Sequence, residues 1–155
     1  MKKIPLSQGK YALIDDKDFL AVSRYKWHVI FNGNNWYARR HTKVSEGGRR
    51  KGQYLHRFLV GDWKMIDHRN GNTLDYRRCN LRDCTSKENA RNRRKSRGIS
   101  HYKGVILFRQ KWCARIFVGG KNIHLGCFKE EKQAGEAYNS AARIHYGKFA
   151  WLNPV

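Results

Sequence analysis

The hydrophobic and polar positions of the 155-residue chain fall into three zones. In the first, residues 1 to about 60, short apolar runs follow the period-two pattern of strands. "KYALIDD" alternates weakly. "YKWHVIF" and "WYARRHT" flank "NGNN", which predicts two strands joined by a tight turn, since Asn and Gly accept the backbone conformations that hairpin turns require. "EGGRRKG" reads as a loop and "QYLHRFLV" as a third apolar segment. The second zone, 61–97, holds "IDHRNGNTLDYRRCNL" and then "CTSKENARNRRKSR". Thr85, Ser86, Lys87 and Glu88 fit a capping box, so a helix is expected from Ser86, with Asn89 and Asn92 on one face, running on into "RNRRKSR". In the third zone, "GVILFR", "KWCARIFV" and "NIHLGCF" are β-rich runs separated by "QK" and "GGK". "EEKQAGEAYNSAARIHYG" is helical: Glu130 and Glu131 suit the N-terminal end of the dipole, and Ala134, Ala137, Tyr138, Ala141 and His145 recur at helical spacing. Gly147 ends it. The pattern predicts an α+β protein with units at 1–97 and 98–155, the second a separable module.

Charge then narrows the function. The chain carries 33 Lys and Arg against 12 Asp and Glu, a formal net charge of +21. Such an excess repels itself, so it implies a polyanionic partner or a disordered chain. Disorder does not fit a composition with 13% aromatic and 40% hydrophobic residues. No apolar run approaches the roughly 18 residues of a membrane span, and no apolar stretch follows the N-terminal lysines as in a signal peptide. The expectation is a soluble, intracellular nucleic-acid-binding protein, with no membrane partner. "RNRRKSR", five basic residues in seven, points to phosphate contact by Arg91, Arg93, Arg94, Lys95 and Arg97. The four cysteines lack the C-x-x-C spacing of a zinc site, and reduced thiols are expected.

The ionisable pair Asp67-His68 is followed, eleven residues on, by Asn80 and, eight residues further, by Asn89. With "LHRFLV", "IDHRNGN", "CNLR" and "ENARN" around it, this stretch resembles the HNH nucleases of the ββα-metal fold, in the phage- and intron-encoded homing type whose last histidine is an asparagine. The resemblance covers about residues 53–94. It implies His68 as general base, Asp67 and the Asn89 side-chain carbonyl as ligands of a divalent cation, and Asn80 as a brace across the loop carrying His68. The catalytic set is then His68, Asp67, Asn80 and Asn89. Neutral imidazole can take a proton from water near neutral pH. Hard oxygen donors without cysteine suit magnesium or manganese, with no other small-molecule cofactor. His56 matches a recurrent family histidine and is expected to pack or touch phosphate; Arg57 and Asn92 are secondary candidates for the site's edge. Neighbours on a strand face opposite sides, so a bend near Asn70-Gly71 is required.

Residues 102–153, with "LGCF", "EAYNSAA" and "GKFAWLN", resemble the plant ethylene-response-factor (apetala-type) DNA-binding domain. That implies a three-stranded antiparallel sheet packed on one helix. Alternation puts Val105, Leu107, Trp112, Ala114, Ile116, Ile123 and Leu125 toward the helix, and Ile106, Phe108, Arg115, Phe117, Asn122 and His124 on the open face. Lys103, Arg109 and Lys111 stand beside it. Several positions that are arginine in the plant pattern are Ile106, Phe108, Phe117 and Asn122 here, so apolar contact or shape readout replaces much of the arginine readout. The combined expectation is a metal-dependent homing-type endonuclease cutting or nicking double-stranded DNA, monomeric, phage-encoded and acting in the cytoplasm of a bacterial host. The rival readings are a non-catalytic, sequence-specific DNA-binding regulator and an RNA-binding structural protein.

Overall fold

The computed structural model describes residues 1–42, 51–94 and 98–155. Lys95, Arg97 and most of the "EGGRRKG" loop lie outside the described residues. The chain divides into two compact units, Met1–Thr85 and Ser86–Val155. Among the described residues the first combines three small antiparallel sheets with short helices, and the second combines one such sheet with helices, so the protein is mixed α+β. Among the described residues no helix is long and apolar enough to cross a membrane.

In the first unit, β1 (Lys2–Pro5) pairs antiparallel with β2 (Tyr11–Ile14). A 3-10 turn at Asp16–Asp18 leads into α1 (Phe19–Ser23), which the alternating pattern did not signal. A three-stranded sheet follows, ordered β3 (His28–Asn32), β4 (Asn35–His41), β5 (Gly52–Tyr54). The β3–β4 turn is Gly33-Asn34, with Gly33 at a φ of 67°. "QYLHRFLV" does not form a strand throughout. Only its start belongs to β5, and Leu55–Val60 is a helix, α2. Leu55 and Leu59, four residues apart, bury one side of it. Strands β6 (Ile66–His68) and β7 (Leu81–Asp83) form a two-stranded antiparallel ribbon. The core gathers Ile4, Ala12, Ile14, Val22, Leu55 and Tyr76 from nearly every element. Arg78 ties the loop before β7 to the 3-10 turn: its backbone N–H donates to Asp15, and its guanidinium to both oxygens of Asp18 at 2.9 Å.

The second unit begins with α3 (Ser86–Arg91). The helix starts where the capping box places it but stops at Arg91, the first residue of the basic run. Like charges at adjacent turns oppose its continuation. Strands β8 (Val105–Phe108), β9 (Lys111–Val118) and β10 (Lys121–Phe128) form an antiparallel sheet with β9 central, packed on α4 (Glu131–Tyr146). Val105, Ala114, Ile116 and Leu125 meet Ala134, Tyr138, Ala141 and Ala142 in its core. Leu107 and Ile123, expected beneath the helix, remain 44% and 39% exposed, because α4 does not cover the ends of the sheet. Tyr146, not His145, belongs to the buried stripe. The β8–β9 turn is Arg109-Gln110, both at positive φ. Cys113 and Cys127 are cross-strand partners joined as a disulfide, which corrects the expectation of four reduced thiols. Strand register opposes two residues whose sequence separation of 14 gave no sign of pairing.

Gly104 shows how closely helix and sheet approach. Its φ is +76°, and a Cβ there would lie 2.1 Å from the Tyr138 ring. Gly104→Ala is therefore expected to destabilise the second unit by about 2–4 kcal/mol, combining backbone strain with overpacking. Urea denaturation of the full chain, followed by circular dichroism, should show a lower midpoint for this unit; an unchanged midpoint contradicts the packing. Asn153 closes the unit: it exchanges two hydrogen bonds with Asn139 on α4 and two with the Lys103 backbone.

Candidate active site

The β6–β7 ribbon carries Asp67 and His68, which are 4% and 5% exposed. Asp67 lies opposite Arg82 and His68 opposite Leu81, so the two ionisable neighbours have different surroundings. Arg82 grips the Asp67 Oδ2 atom through Nε at 2.7 Å and Nη2 at 2.5 Å. The His68 ring is enclosed by other rings: Tyr76 at 5.5 Å, His56 at 6.0 Å and Tyr37 at 6.4 Å between centroids, all edge-on. His56 in turn stacks between Tyr54 at 5.3 Å and Tyr76 at 6.3 Å. Tyr76 is itself fixed, its hydroxyl oxygen accepting the Ala38 N–H at 2.6 Å.

The chain turns immediately after His68. The Gly71 N–H donates to the His68 carbonyl at 2.8 Å, and Gly71 has a φ of 69°. Asn80, 5% exposed, spans the loop. Its Oδ1 accepts the Asn70 N–H at 3.0 Å, its Nδ2 donates to the Asp75 carbonyl at 2.8 Å, and its own carbonyl accepts the Arg69 N–H. Asp75 is a second buried anchor, accepting hydrogen bonds from Arg77 and from Asn70 Nδ2. The Arg77 bonds hold its carboxyl below the usual carboxylate range. Thr73 donates to the Trp36 carbonyl on β4, so the three-stranded sheet supports the same loop. Arg57 donates both Nη groups to the carbonyls of Trp63 and Lys64, a loop-holding role away from the ribbon's chemistry.

Burial makes both histidines reluctant to protonate. It lowers the His68 pKa to about 4, with Asp67 and Asp75 opposing part of the shift. It lowers His56 to about 3, helped by the neighbouring His68 and Arg57. In the unfolded chain both rings take up a proton near pH 6.5. The stabilising effect of keeping them neutral is therefore complete above that pH and lost as pH falls toward about 4. The loss approaches about 1.4 kcal/mol per pH unit for each ring. Thermal melts of the full chain should drop in midpoint between pH 6.5 and about 4.5, and His56→Gln should make the fall shallower. A midpoint constant over that interval contradicts the burial argument.

The remaining expected site residues belong to the second unit. Asn89 lies on α3, and the Asn92 side chain is buried just beyond it. Arg91 and Arg94 stack their guanidinium groups on Tyr146 at 5.0 Å and Trp151 at 4.7 Å. Arg93 is exposed. Lys103, expected beside the DNA-facing sheet, instead turns its ammonium to the last carbonyls of α3, donating to Arg91 at 2.5 Å and Ala90 at 3.4 Å. Burial there, with Arg93 nearby, lowers its pKa to about 8. Arg109 stacks on Phe108 at 5.3 Å. Lys111, Arg115 and His124 are exposed, with Arg115 and His124 directly opposed across β9 and β10.

Tyr37, Tyr54, Tyr76, Asp75 and Arg82 were not singled out from the sequence. Arg82 was within reach, because it is the residue that antiparallel pairing sets against Asp67. The tyrosines come from separate segments and carry no local signal. A cavity of about 710 Å³ between β1, α1 and β3 is lined by Lys3, Phe19, Tyr25 and Trp27 among others, and by none of the candidate catalytic residues.

No family model matches the chain. It is 28% identical over 158 residues to an uncharacterized HNH endonuclease of Acanthamoeba polyphaga mimivirus, covering 96% of this chain and 77% of that protein. It is 45% identical over 64 residues to the AP2-like ethylene-responsive transcription factor PLT2 of Arabidopsis thaliana, 39% of this chain and 11% of that protein. With the related factor ANT of the same plant, the identity is 29% over 161 residues, 87% of this chain and 28% of that protein. The chain thus spans only a small part of these transcription factors. It shares weak likeness with an HNH endonuclease along most of its length, and with AP2-like transcription factors most strongly over a shorter stretch.

Proposed function

We propose that this protein is a metal-dependent DNA endonuclease that hydrolyses phosphodiester bonds, of the homing HNH type, with its second unit holding duplex DNA. The observation that carries the reading is His68: a buried imidazole, kept neutral by burial, beside a carboxylate fixed by Arg82, at the start of a loop braced by Asn80. A neutral ring accepts a proton from the attacking water, and the enclosing rings fix the direction in which it does so. Asn80 keeps the turn after His68 in register, and the Arg82 pairing orients the Asp67 carboxylate.

Among the described residues no group of three or more His, Cys, Asp and Glu is placed to hold a metal. A lone carboxylate such as Asp67, with substrate phosphate and water, suits a hard cation rather than a closed zinc site. Asp67 would hold magnesium or manganese. When bound, the cation neutralises charge on the phosphate and the leaving oxygen. Arg82 already occupies one oxygen of Asp67, so the carboxylate would serve both partners.

The second reading, a non-catalytic DNA-binding regulator, is favoured by the 45% identity to a transcription factor. Incubating supercoiled plasmid with the purified chain in magnesium or manganese, and in chelator, separates the two. Open circular or linear product that disappears with chelator supports the nuclease. Binding with no change in plasmid form supports the regulator.

A further inference from the structure

We infer that the open face of the second unit's sheet reads thymine through its 5-methyl group, so that the preferred ligand is the major groove of thymine-bearing duplex DNA. The inference deepens the proposed function and rests on its DNA-binding part, which both readings share.

Strand register sorts this face into rows. Phe108 lies opposite Lys111, Ile106 opposite Cys113, Arg115 opposite His124, and Phe117 opposite Asn122. Cys113 is also bonded to Cys127, so the row through Ile106 is apolar across all three strands. Ile106, Phe108 and Phe117 are 38%, 56% and 58% exposed, and none belongs to the cores packed against α4. The face therefore offers apolar contacts at three rows, interleaved with Lys111, Arg115 and His124.

A sheet face this apolar needs an occupant. Its charge selects which. From Val105 to Phe128 there is no Asp or Glu, while Arg109, Lys111, Arg115 and Lys121 are all basic. A protein partner would have to meet that charge with its own acids, whereas duplex DNA meets it with phosphates on both sides of the groove. Within the major groove, the only apolar group on a base edge is the methyl of thymine. Apolar side chains bound by basic ones match a groove floor carrying methyl groups between two phosphate rails. Arg115 is the one arginine within the strands of this face, the side chain whose planar fork suits bidentate contact with guanine.

The test compares two preparations of one AT-rich duplex, amplified with either thymidine or deoxyuridine triphosphate, which differ by the pyrimidine methyl groups alone. The full chain is used in chelator, so that no cutting intervenes. Thymine DNA should compete more strongly than uracil DNA, by about fourfold for each methyl group the face buries. A Phe108→Ala, Phe117→Ala double variant, whose exposed side chains contribute nothing to the core, should melt as the parent does and lose the preference. Equal affinity of the parent chain for both DNAs overturns the inference while leaving DNA binding intact. A preference that persists in the double variant overturns the assignment to this face. Failure to bind either DNA overturns the DNA-binding reading and the inference with it.

Discussion

His68→Ala is expected to lower plasmid cleavage by about 10²- to 10⁴-fold, the usual contribution of a general base, with DNA affinity nearly unchanged. The ring is neutral near neutral pH, so its loss removes no phosphate contact. The structure also changes the pH dependence that the sequence alone implies. A solvent-exposed imidazole would give a rate rising through pH 6.5. Burial lowers the His68 pKa to about 4, so the base stays competent well into acid, and activity lost through its protonation falls away near that lower value. Asp67→Ala should also abolish cleavage, but through the cation, and raised magnesium or manganese should recover part of that loss and none of the His68 loss. Cleavage by purified His68→Ala close to the parent rate, at matched metal and pH, would refute the assignment.

DNA affinity is expected to collapse with salt. At a net charge of +21, binding should displace many condensed counterions. The slope of log affinity against log salt is about −0.9 per phosphate contacted, so about six to ten contacts cost 10³- to 10⁵-fold between 50 and 200 mM salt. Arg93, Lys111 and Arg115 are exposed and suited to such contacts. Lys103 is not, because its ammonium serves α3, so Lys103→Met should leave the salt slope unchanged and weaken the helix end instead. Fluorescence anisotropy across a salt series measures both effects, and a flat dependence is incompatible with phosphate-dominated binding.

Much of the fold was legible because local patterns suffice where an element buries one side only. The β3–β4 hairpin, the three strands of the second unit and α4 follow from period-two or helical spacing, with Gly and Asn at the β3–β4 turn and Gly at the β9–β10 turn. "QYLHRFLV" misled because a short apolar run has the same appearance as a strand or as a buried helical turn. The ionisable pair and Asn80 were pointed to by the family resemblance, whose motif lies in one contiguous stretch of the chain. The enclosure of His68 was not: Tyr37 and His56 reach it only through tertiary packing. The same holds for the half-buried Lys103 and the Cys113–Cys127 bond, each set by residues more than ten positions away in sequence.

The helix-end role of Lys103 bears on how such proteins can be recombined. Lys103 Nζ and the Trp151 N–H both bind carbonyls of α3, and Arg91 stacks on Tyr146, so α3 is built into the second unit. A graft beginning at residue 98 would leave a half-buried ammonium without its acceptors. A transferable cassette has to begin at or before Ser86, the first residue of that unit. Asn89 would then be inherited with the cassette rather than with the strand that carries Asp67 and His68. Chimeras exchanging the second unit would exchange Asn89 as well, the residue to which the HNH resemblance gives a metal-ligand role.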